Sequence, residues 1–325
     1  MERSTPMIRS ISIVTFVSGN EDLNRDIIDF YRYISRNLDN CELIIYSDHE
    51  LLEKNGISDK NIREAAGCAM TKYMRIMDSL SSSRYDHILF IDNDIRTDFK
   101  SLKKVILTCP DDADLCFGRI AVSSTDTFTE HLIKIDKILS HNIIRPALWY
   151  LNIGISIPGQ VFIMKKKNFK NVLRRYDTLF DDLTIGLCAK ESNMTVKRVK
   201  AVLGSEKPSA NLRTLIRQRI RWAKGYSQTL RFNRDSKCFR YIVIHGAAYH
   251  GSVAAVDVVE ALLFRCSPCV ASAVLVFILF SLSNWKIMEL PYALAYLLVF
   301  PAVHSLWLIT LIKELFKDKK EKQLQ

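Results

Sequence analysis

Strand-length apolar runs alternate with amphipathic stretches through the front half of the chain. Ile11–Val17, Leu43–Tyr46 and His87–Ile91 read as strands, and Leu115–Val122 and Val161–Met164 extend the set. Between them Leu23–Leu38 and Ala65–Leu80 carry apolar residues at helical spacing, the second at Ala69, Tyr73, Ile76, Met77 and Leu80. Phe128–Leu139, Leu179–Glu191 and the arginine-rich Ala210–Leu230 are further expected helices. Strand and helix in alternation predict an α/β domain on a mostly parallel sheet, whose ligands sit at the carboxyl ends of the strands. Asp48, Asp92 and Asp94 all fall at such ends.

Beyond residue 240 the pattern changes. Cys266–Ser283 and Leu290–Ile312 contain no charged side chain and are long enough to cross a bilayer. In Tyr241–Phe264 the polar residues His250, Asp257 and Glu260 share one helical stripe, which predicts a helix lying at the membrane surface. The expected organisation is a soluble domain over 1–240, an interfacial helix or extra span over 241–264, spans over 266–283 and 290–312, and a basic tail over 313–325.

Composition and charge sharpen that picture. The formal net charge is +11, and basic residues gather at Lys197–Arg240 and Lys313–Lys322, on either side of the apolar segments. Such placement is an orientation signal at a membrane, and two spans then leave domain and tail together on the cytoplasmic side of the cell membrane. No helix-turn-helix or aromatic–basic strand pattern accompanies the charge, so nucleic acid is not an expected partner. The polar Met1–Arg9 has no apolar core of a signal peptide. The eight cysteines then sit in a reducing compartment, outside any disulfide framework, and Cys266-Ser267-Pro268-Cys269 has redox spacing without a redox context.

Three short segments carry the chemistry. Asp92-Asn93-Asp94 follows the strand His87–Ile91, and carboxylates at i and i+2 suit a hard divalent cation that keeps other positions for water and phosphate oxygens. A lone Asp-x-Asp is more often a solvated turn. Asp181 and Asp182 open a helix, where an acid is commonly a cap, but one carboxylate there can also take a hydroxyl proton. Gln218, Arg221 and Trp222 lie at i, i+3 and i+4 on one face of a helix, with Arg219 on the next: guanidinium groups for phosphate, an indole for a sugar face. The same helix could instead lie on anionic lipid. Lys72 reads as a contact to the donor or as a lysine on a helix surface, and the second reading is preferred.

In that order, upstream of apolar helices, Asp92-Asn93-Asp94, Phe180-Asp181-Asp182-Leu183 and Gln218-Arg219-Ile220-Arg221-Trp222 resemble the family 2 membrane-bound inverting glycosyltransferases, the hyaluronan, chitin and cellulose synthases and their relatives. The resemblance covers roughly residues 10–225. It implies a Rossmann-like GT-A domain followed by C-terminal membrane helices, a UDP-sugar donor, Mg²⁺ or Mn²⁺, and inversion to a β-linkage. By the same resemblance Asp92 and Asp94 would hold the metal and Asp182 would be the general base. Glu21, Asp48, Asp92, Arg219 and Arg221 would bind the nucleotide donor, and Gln218, Trp222 and Gly159 the acceptor. The first strand's loop, Asn20-Glu21-Asp22 after Val17-Ser18-Gly19, lacks the family's proline and tyrosine, and Tyr46-Ser47-Asp48-His49 is a loose match to its acidic segment.

The expected function is extension of a β-linked polysaccharide from a UDP-sugar, with membrane lipid around the helices and a homo-oligomer or export partner. The alternative is single addition to a lipid acceptor, since the large synthases carry more spans. A non-catalytic subunit binding nucleotide sugar is a third reading, disfavoured by the presence of every acid that catalysis needs.

Overall fold

The computed structural model describes residues 8–19, 21–67, 70–109, 112–174, 176–251 and 290–323. They fall into two compact units, Met1–Ser123 with Ser156–Lys207 and Ser124–Ile155 with Pro208–Gln325. In chain order the elements are β1 (Ser10–Phe16), α1 (Arg25–Ser35), β2 (Asn40–Ser47), α2 (Leu51–Lys54), β3 (Ile62–Ala66), α3 (Lys72–Ser82), β4 (His87–Asp92), β5 (Ile95–Thr97), α4 (Phe99–Thr108) and β6 (Leu115–Val122). There follow α5 (Phe128–Ile138), α6 (Arg145–Tyr150), β7 (Val161–Lys165), α7 (Lys166–Phe169), α8 (Asp181–Glu191), β8 (Val196–Glu206), α9 (Leu212–Phe232), α10 (Phe239–Gly246) and α11 (Leu290–Gln323).

The first unit is built on one eight-stranded sheet, in the order β3-β2-β1-β4-β7-β6-β8-β5. β3, β2, β1 and β4 are parallel, and β1 and β4 are buried on both faces, which is why they read as continuous apolar runs. β7 is antiparallel to both β4 and β6. The sheet is therefore mixed, where the strand–helix alternation predicts a mostly parallel one. The reason lies in the turn Pro158-Gly159-Gln160: the Gln160 carbonyl accepts from the Asp92 N–H at 2.9 Å, so β7 starts at the carboxyl end of β4 and runs back along it.

In this half α2, β5, α4 and α7 add to the expected elements, and two further differences bear on the site. The stretch 65–80 is not one helix, because Ala65 and Ala66 pair with Tyr46 and Ser47 as the end of β3, and α3 begins only after Thr71, whose hydroxyl caps it by accepting from Met74 N. β8, with Lys197, Arg198 and Lys200 exposed along its first half, has no apolar alternation strong enough to read as a strand. Its pairing with β6 and β5 places Glu206 beside Val122 and Ile95.

A core packs against one face of the sheet, with Ile11, Ile13, Leu43, Leu89 and Leu102 fully buried in it, while Val14, Ile44, Ile88, Phe90 and Phe162 are buried outside that cluster. Each such side chain contributes about 1.5–3 kcal/mol by burial. α8 is buried all round from Leu183 to Ala189, as a helix without a polar face must be.

The second unit is helical. α5 opens with a capping box formed by Thr127 and Glu130, and its Leu132 and Ile135 pack with Leu215 of α9 and Tyr296 and Phe300 of α11. α11 continues without a break from the expected span at 290–312 into the basic tail. The expected span at 266–283, its cysteine pair and most of the expected interfacial helix lie outside the described residues; of the latter, α10 and a π-helical turn at Ala247–Gly251 are described.

Candidate active site

In the first unit, the carboxyl ends of β1, β2 and β4 bring the expected acids to one edge of the sheet. Asp92 ends β4, paired across from Phe16. About a quarter of its side chain meets solvent (23%), yet burial dominates and pushes its carboxyl up to about 7, against the pull of Lys72. Asp94 is exposed, and burial of its carboxyl, then the nearby Glu206, raises it above its usual value, with a smaller push from Glu21. Asn93 does something different: its side chain turns inward, 9% exposed, donating to Asp22 O at 3.0 Å and accepting from Asn24 N at 2.9 Å. The middle residue of the acidic turn thus pins the loop that carries Glu21.

Lys72 is a site residue, not the surface lysine that its helical position implies. Its Nζ lies 2.7 Å from Asp92 Oδ1 and 3.2 Å from Asp181 Oδ2, and it donates to the Gly159 carbonyl at 2.8 Å. Burial opposes its charge, but Asp181 and Asp92 outweigh that and hold the ammonium protonated well above its ordinary range.

The acid pair divides its work. α8 starts without a side-chain cap at Phe180, so Asp181 is not a cap; its carboxylate faces Lys72. Asp182 accepts from the Leu183 N–H at 2.8 Å and packs on Gly159, where an added Cβ would lie 3.0 Å from Asp182 Cβ and 3.6 Å from Asp181 Oδ2. Gly159→Ala must therefore push Asp182, while Asp181 Oδ2 stays in ordinary contact. The expected result is a fall in kcat of roughly tenfold or more, with donor KM little changed, since small displacements at reacting groups cost rate before binding. Steady-state kinetics on the variant checks this, and an unaltered kcat would contradict the placement.

Asp48 is held from the side. One carboxylate oxygen accepts from Gly19 N at 3.1 Å, and the other pairs with Arg75 Nη2 at 2.9 Å. Arg75 is 3% exposed and also donates to Val17 O and Gly67 O, so one guanidinium ties together the loops after β1, β2 and β3. A Cβ at Gly67 would lie 2.9 Å from Arg75 Cζ, so a larger residue there must displace that guanidinium.

Glu206 and Gln160 complete the edge, with Gln160 Nε2 donating to Glu206 Oε2 at 2.8 Å. Sequence reasoning passes over Arg75 and Glu206 and prefers a surface position for Lys72. Glu206 ends a strand that charge hides, while Lys72 and Arg75 sit on a helix whose start is misplaced upstream.

Gln218, Arg219, Arg221 and Trp222 lie on α9 in the second unit. Arg221 is exposed, and Gln218 and Trp222 are half-buried. Arg219 is 4% exposed: it forms an ion pair with Asp136 of α5, and its guanidinium stacks 4.1 Å from the Trp222 ring. Asp136 accepts in addition from Tyr296 of α11 at 3.0 Å. Within this unit Arg219 joins three helices.

Among the described residues no three His, Cys, Asp or Glu side chains converge as a self-sufficient metal site. The donor chemistry at Asp92 and Asp94 nevertheless fits a hard divalent cation completed by other oxygens: the two carboxylates lie near enough for Asp94 to push Asp92 up, and Glu206 acts on Asp94 in the same sense.

The same fold occurs in a mannosyltransferase from Pyrobaculum calidifontis, solved with GDP-mannose and Mn²⁺, with a TM-score of 0.55 and 15% identity over 96% of this chain and 88% of that one. A mannosyl-3-phosphoglycerate synthase from Rubrobacter xylanophilus aligns with a TM-score of 0.48 and 16% identity over 70% of this chain and 76% of that one. No curated protein matches the sequence. The mixed α/β sheet is that of a GT-A domain. The family described as Glycosyl transferase family group 2 matches residues 87–309, more than two thirds of the chain and the stretch from β4 into α11. The chain belongs to that family and is a glycosyltransferase.

Proposed function

We propose that the protein is a membrane-held, inverting transferase that moves a sugar from a nucleoside-diphosphate sugar, in the first place a UDP-sugar, to a growing β-linked polysaccharide. The observation that carries this is the pairing, at one sheet edge, of an acid for the donor side, Asp92, with the acid pair Asp181 and Asp182 across a single lysine. Asp182 is the general base: its carboxylate takes the proton of the acceptor hydroxyl as that oxygen attacks the anomeric carbon, and the diphosphate leaves from the opposite face. One displacement needs one base and no covalent nucleophile, and it inverts the anomeric centre. Asp92 and Asp94 would hold Mg²⁺ or Mn²⁺, which when bound supplies positive charge to the departing diphosphate. The mannosyltransferase of like fold was solved with GDP-mannose and Mn²⁺, which supports a sugar nucleotide and a metal here and makes GDP-mannose a donor to test beside UDP-sugars.

In this reading Asp48 and Glu21 serve the nucleotide and Gly159 the acceptor; on α9, Gln218 and Trp222 are assigned to the acceptor and exposed Arg221 to phosphate, while Arg219 is held by Asp136. Membrane attachment is supported by α11, whose stretch Leu290–Lys317 is long and apolar enough to cross a bilayer. Its outward face is apolar as well, with Leu294, Leu298, Leu308, Ile309 and Ile312 exposed, a composition suited to lipid rather than water. A helix of this kind brings the chain to a lipid surface, where lipid acceptors lie, and single addition to a lipid is therefore the second reading. Sizing the labelled product decides between them: high-mass material supports the polysaccharide, and a single sugar on an extractable lipid replaces it with the second reading.

A further inference from the structure

Lys72 spans two elements with one charge. Its ammonium touches Asp92 at the end of β4 and Asp181 at the start of α8, and its other contacts are uncharged: the carbonyl of Gly159 and the face of the Phe16 ring, 5.9 Å from its centroid. The side chain is about a quarter exposed (28%), so it can leave this position without unfolding anything around it. A divalent cation that approaches Asp92 in the nucleotide-free protein meets a like charge already paired with that carboxylate at 2.7 Å. At so short a range, with both groups only partly exposed, that charge opposes the attraction which Asp92 and the exposed Asp94 offer the cation.

A diphosphate changes the balance. It brings at least two negative charges, and a lysine ammonium on a flexible stem is a strong point-charge partner for phosphate oxygens. Moving from Asp92 to phosphate costs Lys72 one carboxylate contact and leaves Asp92 open to a cation that the same phosphate helps to coordinate. We propose that Lys72 is an internal counter-cation that bars divalent metal from Asp92 until a nucleoside diphosphate draws it away, so that metal and nucleotide bind as a pair. This rests on the metal-dependent reading given under Proposed function. It also makes Lys72 a positioning residue for the acid pair, since the same ammonium holds Asp181 next to Asp182.

The test is Mn²⁺ binding, followed by electron paramagnetic resonance, to wild type, Lys72→Met, Lys72→Arg and Asp92→Asn. Each is measured alone, with UDP and with GDP, and each is checked for folding by circular dichroism. Without nucleotide, Lys72→Met binds Mn²⁺ roughly tenfold or more tightly than wild type. Lys72→Arg, which keeps the charge, stays weak, and Asp92→Asn binds little in any state. UDP or GDP tightens Mn²⁺ binding to wild type by a larger factor than to Lys72→Met. Equal Mn²⁺ affinity of wild type and Lys72→Met without nucleotide overturns the proposal and leaves the metal reading standing. If the nucleotide binds but no form takes up Mn²⁺ in its presence, the metal reading itself fails and the proposal falls with it. Should Lys72→Met not fold, Lys72→Gln replaces it with the same expectations.

Discussion

Asp182→Asn is expected to lower turnover by roughly 10²–10⁴-fold, the usual weight of a general base, with stability and nucleotide binding near wild type. The asparagine oxygen can still accept from the Leu183 N–H, as Asp182 Oδ1 does at 2.8 Å, so the start of α8 keeps its local bond. What is lost is the basic carboxylate. Asp181→Asn is the control beside it: this acid pairs with Lys72, so its loss weakens the lysine's tether and costs less in rate. Activity and Mn²⁺-dependent nucleotide binding measured on both variants separate the roles. A larger loss for Asp181→Asn than for Asp182→Asn would exchange them.

The second large effect is on stability. Asp136→Ala leaves the guanidinium of Arg219, 4% exposed, without its carboxylate and takes the acceptor from Tyr296 as well. Removing one partner of a buried pair typically costs 3–5 kcal/mol; with Asp136 still 21% exposed, about 3 kcal/mol is expected here. Arg219→Ala should cost a similar amount, and the double variant less than the sum, because each single change strands the other group. Arg221→Ala, on the exposed side of the same helix, should change stability by no more than about 0.5 kcal/mol while reducing activity. Chemical unfolding in detergent reads all four. A stable Asp136→Ala would remove Arg219 from the framework of the second unit.

The two arginines of one short segment show where sequence reading stops. Spacing on a helix places Arg219 and Arg221 on neighbouring faces, but which face is covered depends on α5 and α11, distant in sequence. The acidic turn at Asp92 was readable because a buried strand of Ile88, Leu89, Phe90 and Ile91 points at it, and burial on both sheet faces leaves an unmistakable apolar run. β8 lacked that signature, since its first half is solvated and basic, and with it Glu206 went unplaced. The turn from β3 to α3 was misread because Ala65 and Ala66 suit a helix as well as an edge strand. Only their pairing to Tyr46 and Ser47 decides between the two. Moving the start of that helix to Lys72 is what aims Lys72 and Arg75 at the sheet edge.

The central claim is transfer with inversion from a sugar nucleotide. It is tested most directly by incubating membranes carrying the protein with UDP-sugars and GDP-mannose, each with Mn²⁺ or Mg²⁺, and following both nucleoside diphosphate release and the anomeric configuration of the product. The account predicts that one donor is consumed, that chelation of the metal stops it, and that the new linkage has the opposite configuration to the donor. A product that retains the donor's configuration, or no consumption of any donor, would contradict it.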